Sequence, residues 1–215
     1  MTPAAPDREC HARWQHARWT SLRRDVAADV QRYLTKSPEN IALGSGRKRQ
    51  LSALLTPELQ CLLLHRLAHW LHAAGWPRLG LTVAGGNAVL YKAKLSPQSC
   101  IGPGCRLSHP PGVTFHGRAG SGLTLFSCAV VCASNGAADG DLEPAPRLGD
   151  GVTLGAHSAV MGPVSVGDAC QIAYLTLVAV DLAPGSTVIG TRPPGVRPPG
   201  VRPQSVRPSE PGPPC

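Results

Sequence analysis

At 215 residues, with 42% hydrophobic residues but only 4% aromatics, the chain is long enough to bury a core yet too poor in rings to fill a layered one. Its 24 glycines and 22 prolines suit a narrow interior of Val, Leu, Ile and Ala bounded by many sharp turns. The formal charge of +8 sits mainly on Arg in the N-terminal region and the C-terminal tail, with no aromatics interleaved, which argues against nucleic-acid binding.

The 8 cysteines form no CxxC pair and have no HxxxH or HExxH beside them, so neither a zinc site nor any other metal is expected. Residues 1–7 lack the apolar core of a secretory signal, and no apolar run is long enough to span a membrane. The thiols are therefore expected to be reduced, mostly small buried fillers in a cytoplasmic protein.

In chain order, Trp19, Leu22, Val26, Val30 and Leu34 recur at helical spacing behind a cap at Thr20 or Ser21, and Pro38 ends that helix. Gly44–Arg49 reads as a solvated basic loop. A second helix opens with Thr56 as N-cap, Pro57 at the first position and Glu58 where the macrodipole favours an acid. Leu59, Leu62, Leu63, Leu67, Trp70 and Leu71 would form its apolar face, with Gly75 and Pro77 as the stop. Leu79–Leu90 is apolar but broken by Gly80, Gly85 and Gly86, and reads as a poor helix.

Then the period changes to six. Leu95, Ile101, Leu107, Val113, Ala119, Leu125 and Val131 fall on one register, which resumes at Leu148, Leu154, Val160, Val166, Ile172 and Val178. A six-residue repeat is the mark of a parallel β-helix: three short strands per coil, one aliphatic side chain inward from each, and turns at the corners. Cys132–Arg147 breaks the register and must leave the coil as an external loop, the kind of segment that often carries function. After Gly190 the repeated Arg-Pro-Pro-Gly-Val cannot build a core and reads as a disordered, polyproline-like tail. The expected class is α+β: helices over 1–94, a left-handed parallel β-helix over 95–190, and a tail over 191–215.

The stretch His65-Arg66-Leu67-Ala68-His69-Trp70-Leu71 ahead of hexapeptide repeats resembles the serine acetyltransferase family. So do Leu107-Ser108-His109-Pro110-Pro111-Gly112-Val113, similar to that family's Asp-His-x-x-Gly-Val coil, and the resumed register from Leu148 to Asp168. The resemblance implies acyl transfer from acetyl-CoA to a hydroxyl of serine or a related small metabolite, with no metal, in a homotrimer or dimer of trimers. It puts the general base at His109, with Ser108 beside the acceptor. Gly155 and Ala156 would pass the pantetheine arm, Tyr174 would border or crowd it, and Arg192, with Arg197, would reach the nucleotide phosphates. His116 and His157 also lie in the repeats but have no such setting.

The chain departs from the family at several places. Ser108 replaces the Asp before the base, Ala145 replaces a second active-site His, and Pro144 replaces the neighbouring Arg that would hold a substrate carboxylate. The family's Asp-Pro in the helical part has only Ser37-Pro38 as a loose counterpart. Two readings stay open at this level: an acetyltransferase acting through His109, and a non-catalytic homologue serving as a scaffold.

Overall fold

The computed structural model describes residues 18–36, 53–133 and 144–190. The expectations for Pro38, the 44–49 loop, the middle of the external loop, and the tail with Arg192 and Arg197 fall outside those residues.

Among the described residues three helices come first: α1 (Trp19–Lys36), α2 (Pro57–Ala73) and α3 (Pro77–Tyr91). The first starts slightly earlier than its sequence cap, the Arg18 carbonyl accepting from the N–H groups of Ser21 and Leu22. At the start of α2, Pro57 sits in the first turn, but the Thr56 hydroxyl donates back to the Ala53 carbonyl instead of capping the helix. The 79–90 segment is a continuous helix despite three glycines. Gly80 is needed there, since a Cβ would stand 2.7 Å from the Ala68 carbonyl oxygen, whereas Gly85 and Gly86 face open space.

The buried face of α2 differs from the expected leucine face. It carries Leu59, Cys61, Leu62, His65, Arg66, Ala68, His69 and His72, while Leu67 is exposed. Arg66 can be inside because it is fully paired. Its guanidinium holds the Asp29 carboxylate of α1 (Nε to Oδ2, 2.8 Å) and donates to the carbonyls of Ile101 and Gly102. Asp29 in turn accepts from the Cys105 N–H at 2.7 Å. His69 adds a hydrogen bond from Nδ1 to the Pro97 carbonyl at 2.8 Å, and Trp19 meets Trp70 edge to face at 5.5 Å. This one polar node bolts α1 and α2 to the start of the β region, and it explains why Arg66 and His69 stand in that motif.

Among the described residues fourteen short strands follow, from β1 (Lys94–Leu95) to β14 (Thr187–Val188). All ladders are parallel, and the chain visits three sheets in rotation. The first holds β1, β4 (Thr114–Phe115), β7 (Val130–Cys132), β10 (Ala159–Met161) and β13 (Leu177–Val178). The second holds β2 (Cys100–Ile101), β5 (Arg118–Ala119), β8 (Arg147–Leu148) and β11 (Ser165–Val166). The third holds β3 (Arg106–Leu107), β6 (Thr124–Leu125), β9 (Thr153–Leu154), β12 (Gln171–Ile172) and β14. Inward residues stack as Leu95–Phe115–Val131–Val160–Val178 in the first sheet. The second stacks Ile101–Ala119–Leu148–Val166, and the third Leu107–Leu125–Leu154–Ile172–Val188. They merge into one continuous cluster in which no single coil could bury its own apolar side chains. Asp150 and Asp168 tie successive coils together, accepting from the N–H of Ser121 (2.6 Å) and of Asp150 (2.7 Å).

Counting by six misplaces one residue. Val113 is buried, but Phe115 holds the inward position between Leu95 and Val131. The corner before it (108–113) has six residues, against four at 126–129, 155–158 and 173–176. The next corner (116–117) has only two, so the phase recovers at Ala119. Two residues are thus shifted into the corner that carries His109.

The thiol expectation also changes. Cys61, Cys105, Cys128, Cys132 and Cys170 are free, but Cys100 is disulfide-bonded. It precedes inward-facing Ile101 on β2 (Cys100–Ile101), so alternation turns its side chain out of the coil, where it can reach another segment. Among the described residues no helix is long and apolar enough to cross a membrane, and no cluster of three His, Cys, Asp or Glu could hold a metal.

Candidate active site

The enlarged corner is built for one side chain. The Ser108 N–H bonds to the Leu125 carbonyl (2.8 Å) and the Gly112 N–H to the Lys92 carbonyl (2.8 Å), so both ends of the loop are fixed to neighbouring coils. Between them Val113 N–H closes a turn onto the Pro110 carbonyl at 3.1 Å. Pro111 at the second position and Gly112 at the third, with φ +78°, make this a type II turn. Glycine is doubly required, because a Cβ at 112 would also stand 2.5 Å from the Cys128 sulfur. His109 itself takes φ +62°, an uncommon conformation for a side-chain-bearing residue, and 74% of its side chain is exposed. A fixed loop therefore presents a largely exposed imidazole to solvent.

That corner tops a column. Lys92, Gly112, Cys128, His157 and Leu175 all have positive φ, and each N–H after the first bonds to the coil before it. His157 thus has a backbone role in the column, which accounts for it without catalysis. The same edge carries Gly155 and Ala156, half-buried at the 155–158 corner, and Tyr174, 72% exposed at the next. The residues proposed from sequence for the base and for the donor, apart from Arg192, therefore fall along one edge of the solenoid. Gly155 has a structural reason as well: a Cβ there would stand 2.6 Å from the Tyr174 nitrogen.

Away from this edge, toward the 116–117 corner, α3 and the outer face of the first sheet enclose a groove of about 490 Å³. Leu81 and Ala84 line one wall, and Lys94, Thr114 and His116 line the other. His116 thus faces the groove on the far side of β4 (Thr114–Phe115) from the His109 corner. Ala145, at the root of the external loop, is buried beside β8 (Arg147–Leu148), on the opposite edge of the first sheet from His109.

One contact had no signature in the sequence. Glu58, in the first turn of α2, places its Oε1 3.8 Å from Nδ1 of His109. Helix-start chemistry alone accounted for an acid at that position, and nothing in the residue spacing shows that α2 begins over this corner.

Comparison with known proteins gives a consistent picture. No protein-family model matches the chain. The serine acetyltransferase of Helicobacter pylori (strain 26695) is 28% identical over 170 residues, 78% of this chain and 94% of that protein. The Mycobacterium tuberculosis serine acetyltransferase is 30% identical over 128 residues, 59% of this chain and 55% of its own length. The chain is similar to serine acetyltransferases over most of its length. The soybean serine acetyltransferase complexed with serine superposes with a TM-score of 0.70 at 21% identity, covering 80% of this chain and 68% of that one, a likeness of fold.

Proposed function

We propose that this protein transfers an acetyl group from acetyl-CoA to the hydroxyl of serine or a closely related small hydroxylated metabolite, with His109 as general base. The observation that carries the reading is the enlarged corner, which holds an exposed imidazole at a fixed place on the edge where Gly155, Ala156 and Tyr174 also lie. An alcohol is a poor nucleophile while it keeps its proton. Nε2 of His109 takes that proton as the oxygen attacks the thioester carbonyl. The tetrahedral intermediate then collapses, the C–S bond breaks, the ester forms, and the imidazolium returns the proton to the departing thiolate.

On this reading the donor runs along the column, its pantetheine arm past Gly155 and Ala156 and beside Tyr174, with Ser108 and the groove below α3 on the acceptor side. Arg192 is assigned to the nucleotide phosphates. The coils wind left-handed, and the domains divide as 1–94, 95–190 and 191–215. We further infer a homotrimer, or a dimer of trimers. His109 and the root of the external loop at Ala145 lie on opposite edges of one sheet, so both can border one site only if two copies meet. Light scattering tests this, and a monomer at working concentration would remove the shared site. A cytoplasmic location belongs to the same reading, and the redox state of Cys100 in intact cells checks it, since stable disulfides are rare in that compartment.

The non-catalytic scaffold is not favoured: a scaffold has no need for a corner two residues longer than its neighbours, tied at both ends around an exposed histidine. Thiol release from acetyl-CoA, measured with serine and a panel of hydroxy amino acids, decides the matter. Serine-dependent release is the expected result, and release with none of the acceptors would sink the proposal.

A further inference from the structure

We infer that Glu58 is the positioning residue for His109, a carboxylate carried on helix α2 that does the orienting work in a site where Ser108 supplies none. This rests on His109 being the base. The geometry is the starting point: Glu58 Oε1 lies 3.8 Å from Nδ1, and the Glu58 side chain is only 22% exposed while the imidazole is 74% exposed. A carboxylate on the Nδ1 side accepts that nitrogen's proton and leaves Nε2 as the unprotonated, outward-facing nitrogen. That is the tautomer a general base needs. Small rotations of either side chain bring the pair into hydrogen-bond range, as such pairs commonly tighten when substrate closes the site.

Glu58 is held there by the rest of the fold. Two helical turns further on, Arg66 and His69 fix α2 to the first coil through Asp29, Ile101, Gly102 and Pro97. The glutamate side chain is thus aimed by a buried node and not by a loop. The other titratable groups on the elements around the corner include Cys61 and His65 on α2, Tyr91 and Lys92 at the end of α3, Arg106 on the strand before the corner, and Cys128 and His157 lower in the column. Among the described residues Glu58 is the carboxylate within ion-pair distance of His109. The helical part of the chain thereby becomes part of the catalytic machinery of the β-helix.

Two readouts test the assignment on the full-length protein. The first is the nitrogen NMR signature of the neutral His109 imidazole, identified by the signal lost in His109→Asn. A carboxylate at Nδ1 favours the tautomer with the proton on that nitrogen, so the share of that tautomer should fall in Glu58→Gln and, in the unmodified protein, fall with added salt as the pair is screened. The second is the kinetic split. Glu58→Gln should lower kcat about tenfold, below the ~10⁴ seen when a buried orienting carboxylate is lost, because this pair is half open to water. KM for acetyl-CoA should stay within about twofold, and Glu58→Asp should restore part of the rate. A His109 tautomer ratio that ignores both the substitution and the salt overturns the proposal, as does an unchanged kcat in Glu58→Gln. The salt titration needs no variant, so a poorly folding Glu58→Gln leaves it decisive. The NMR readout needs no turnover, so an enzyme that releases no thiol would fail the functional reading and leave this one still measurable.

Discussion

His109, the proposed base, is held by its neighbours' backbone preferences more than by its own contacts. On that proposal His109→Ala removes the base while leaving the Pro110–Val113 turn and the donor edge intact. Turnover should fall ~10²–10⁴-fold with acetyl-CoA affinity nearly unchanged, as steady-state kinetics beside equilibrium binding would show. Gly112→Ala is the complementary change. It forces a side chain into φ +78° and against the Cys128 sulfur, so it should lower both the melting temperature and kcat with His109 still present. Pairing it with Cys128→Ala should recover part of the stability by removing the clash, though not the backbone strain. A Gly112→Ala enzyme with unaltered melting and rate would mean the corner is looser than its hydrogen bonds imply. At this scale the sequence was informative about His109, since Pro-Pro-Gly after it spells a type II turn. It was silent about Glu58, because residues 58 and 109 meet only through the docking of a helix on a coil.

Among the elements, α2 shows how a polar residue can be a packing residue. The periodic leucines suggested an apolar face, yet the buried face holds Arg66 and three histidines. Burial pushes the Asp29 carboxyl above its ordinary range, and the Arg66 guanidinium beside it opposes that shift. The pair holds because Arg66 has backbone carbonyls as well as a carboxylate to donate to. Asp29→Ala would leave Arg66 buried without a counter-charge, and loss of one partner of such a pair costs about 3–5 kcal/mol. Urea unfolding should register a loss of that order. Because the node also aims α2, the variant should lose activity beyond what its stability predicts. A shift below about 0.5 kcal/mol would mean that water reaches the node. The corner lengths belong to this scale too. A register of six carried the strands correctly on either side, but a local two-residue shift is invisible to counting when Val113 is as apolar as Phe115.

The whole molecule is a solenoid whose interior is sealed by helices at its first coil, and its thiols report that seal. Burial pushes Cys61 and Cys105 up to about 12, against an ordinary value of 9.0. Both stay protonated in the folded state across the range where the unfolded chain ionises. The unfolded state therefore binds fewer protons above pH 9, and the slope of stability with pH turns negative there. Stability should be level with respect to these two groups below about pH 9 and fall as pH rises toward 12. Melting curves measured against pH would show it. Thiol labelling at pH 8 gives the kinetic counterpart: half-exposed Cys128 should react quickly, and Cys61 and Cys105 only on unfolding. Rapid labelling of Cys105 in the native protein would contradict the sealed first coil.

What the sequence by itself determined is what repeats. A period of six requires strands that stack in parallel, an aliphatic every sixth place requires a narrow core, and turn chemistry at Gly112 requires a corner there. Each follows from local stereochemistry and from the burial of side chains within a few residues of one another. The tertiary structure alone decided three things: that α2 packs by Arg66 and not by Leu67, that Phe115 displaces Val113 from the inward column, and that Glu58 faces His109. These depend on distances between parts of the chain that share no period. Only the docking of the helices on the first coil brings them together, through an ion pair whose two halves lie on different helices.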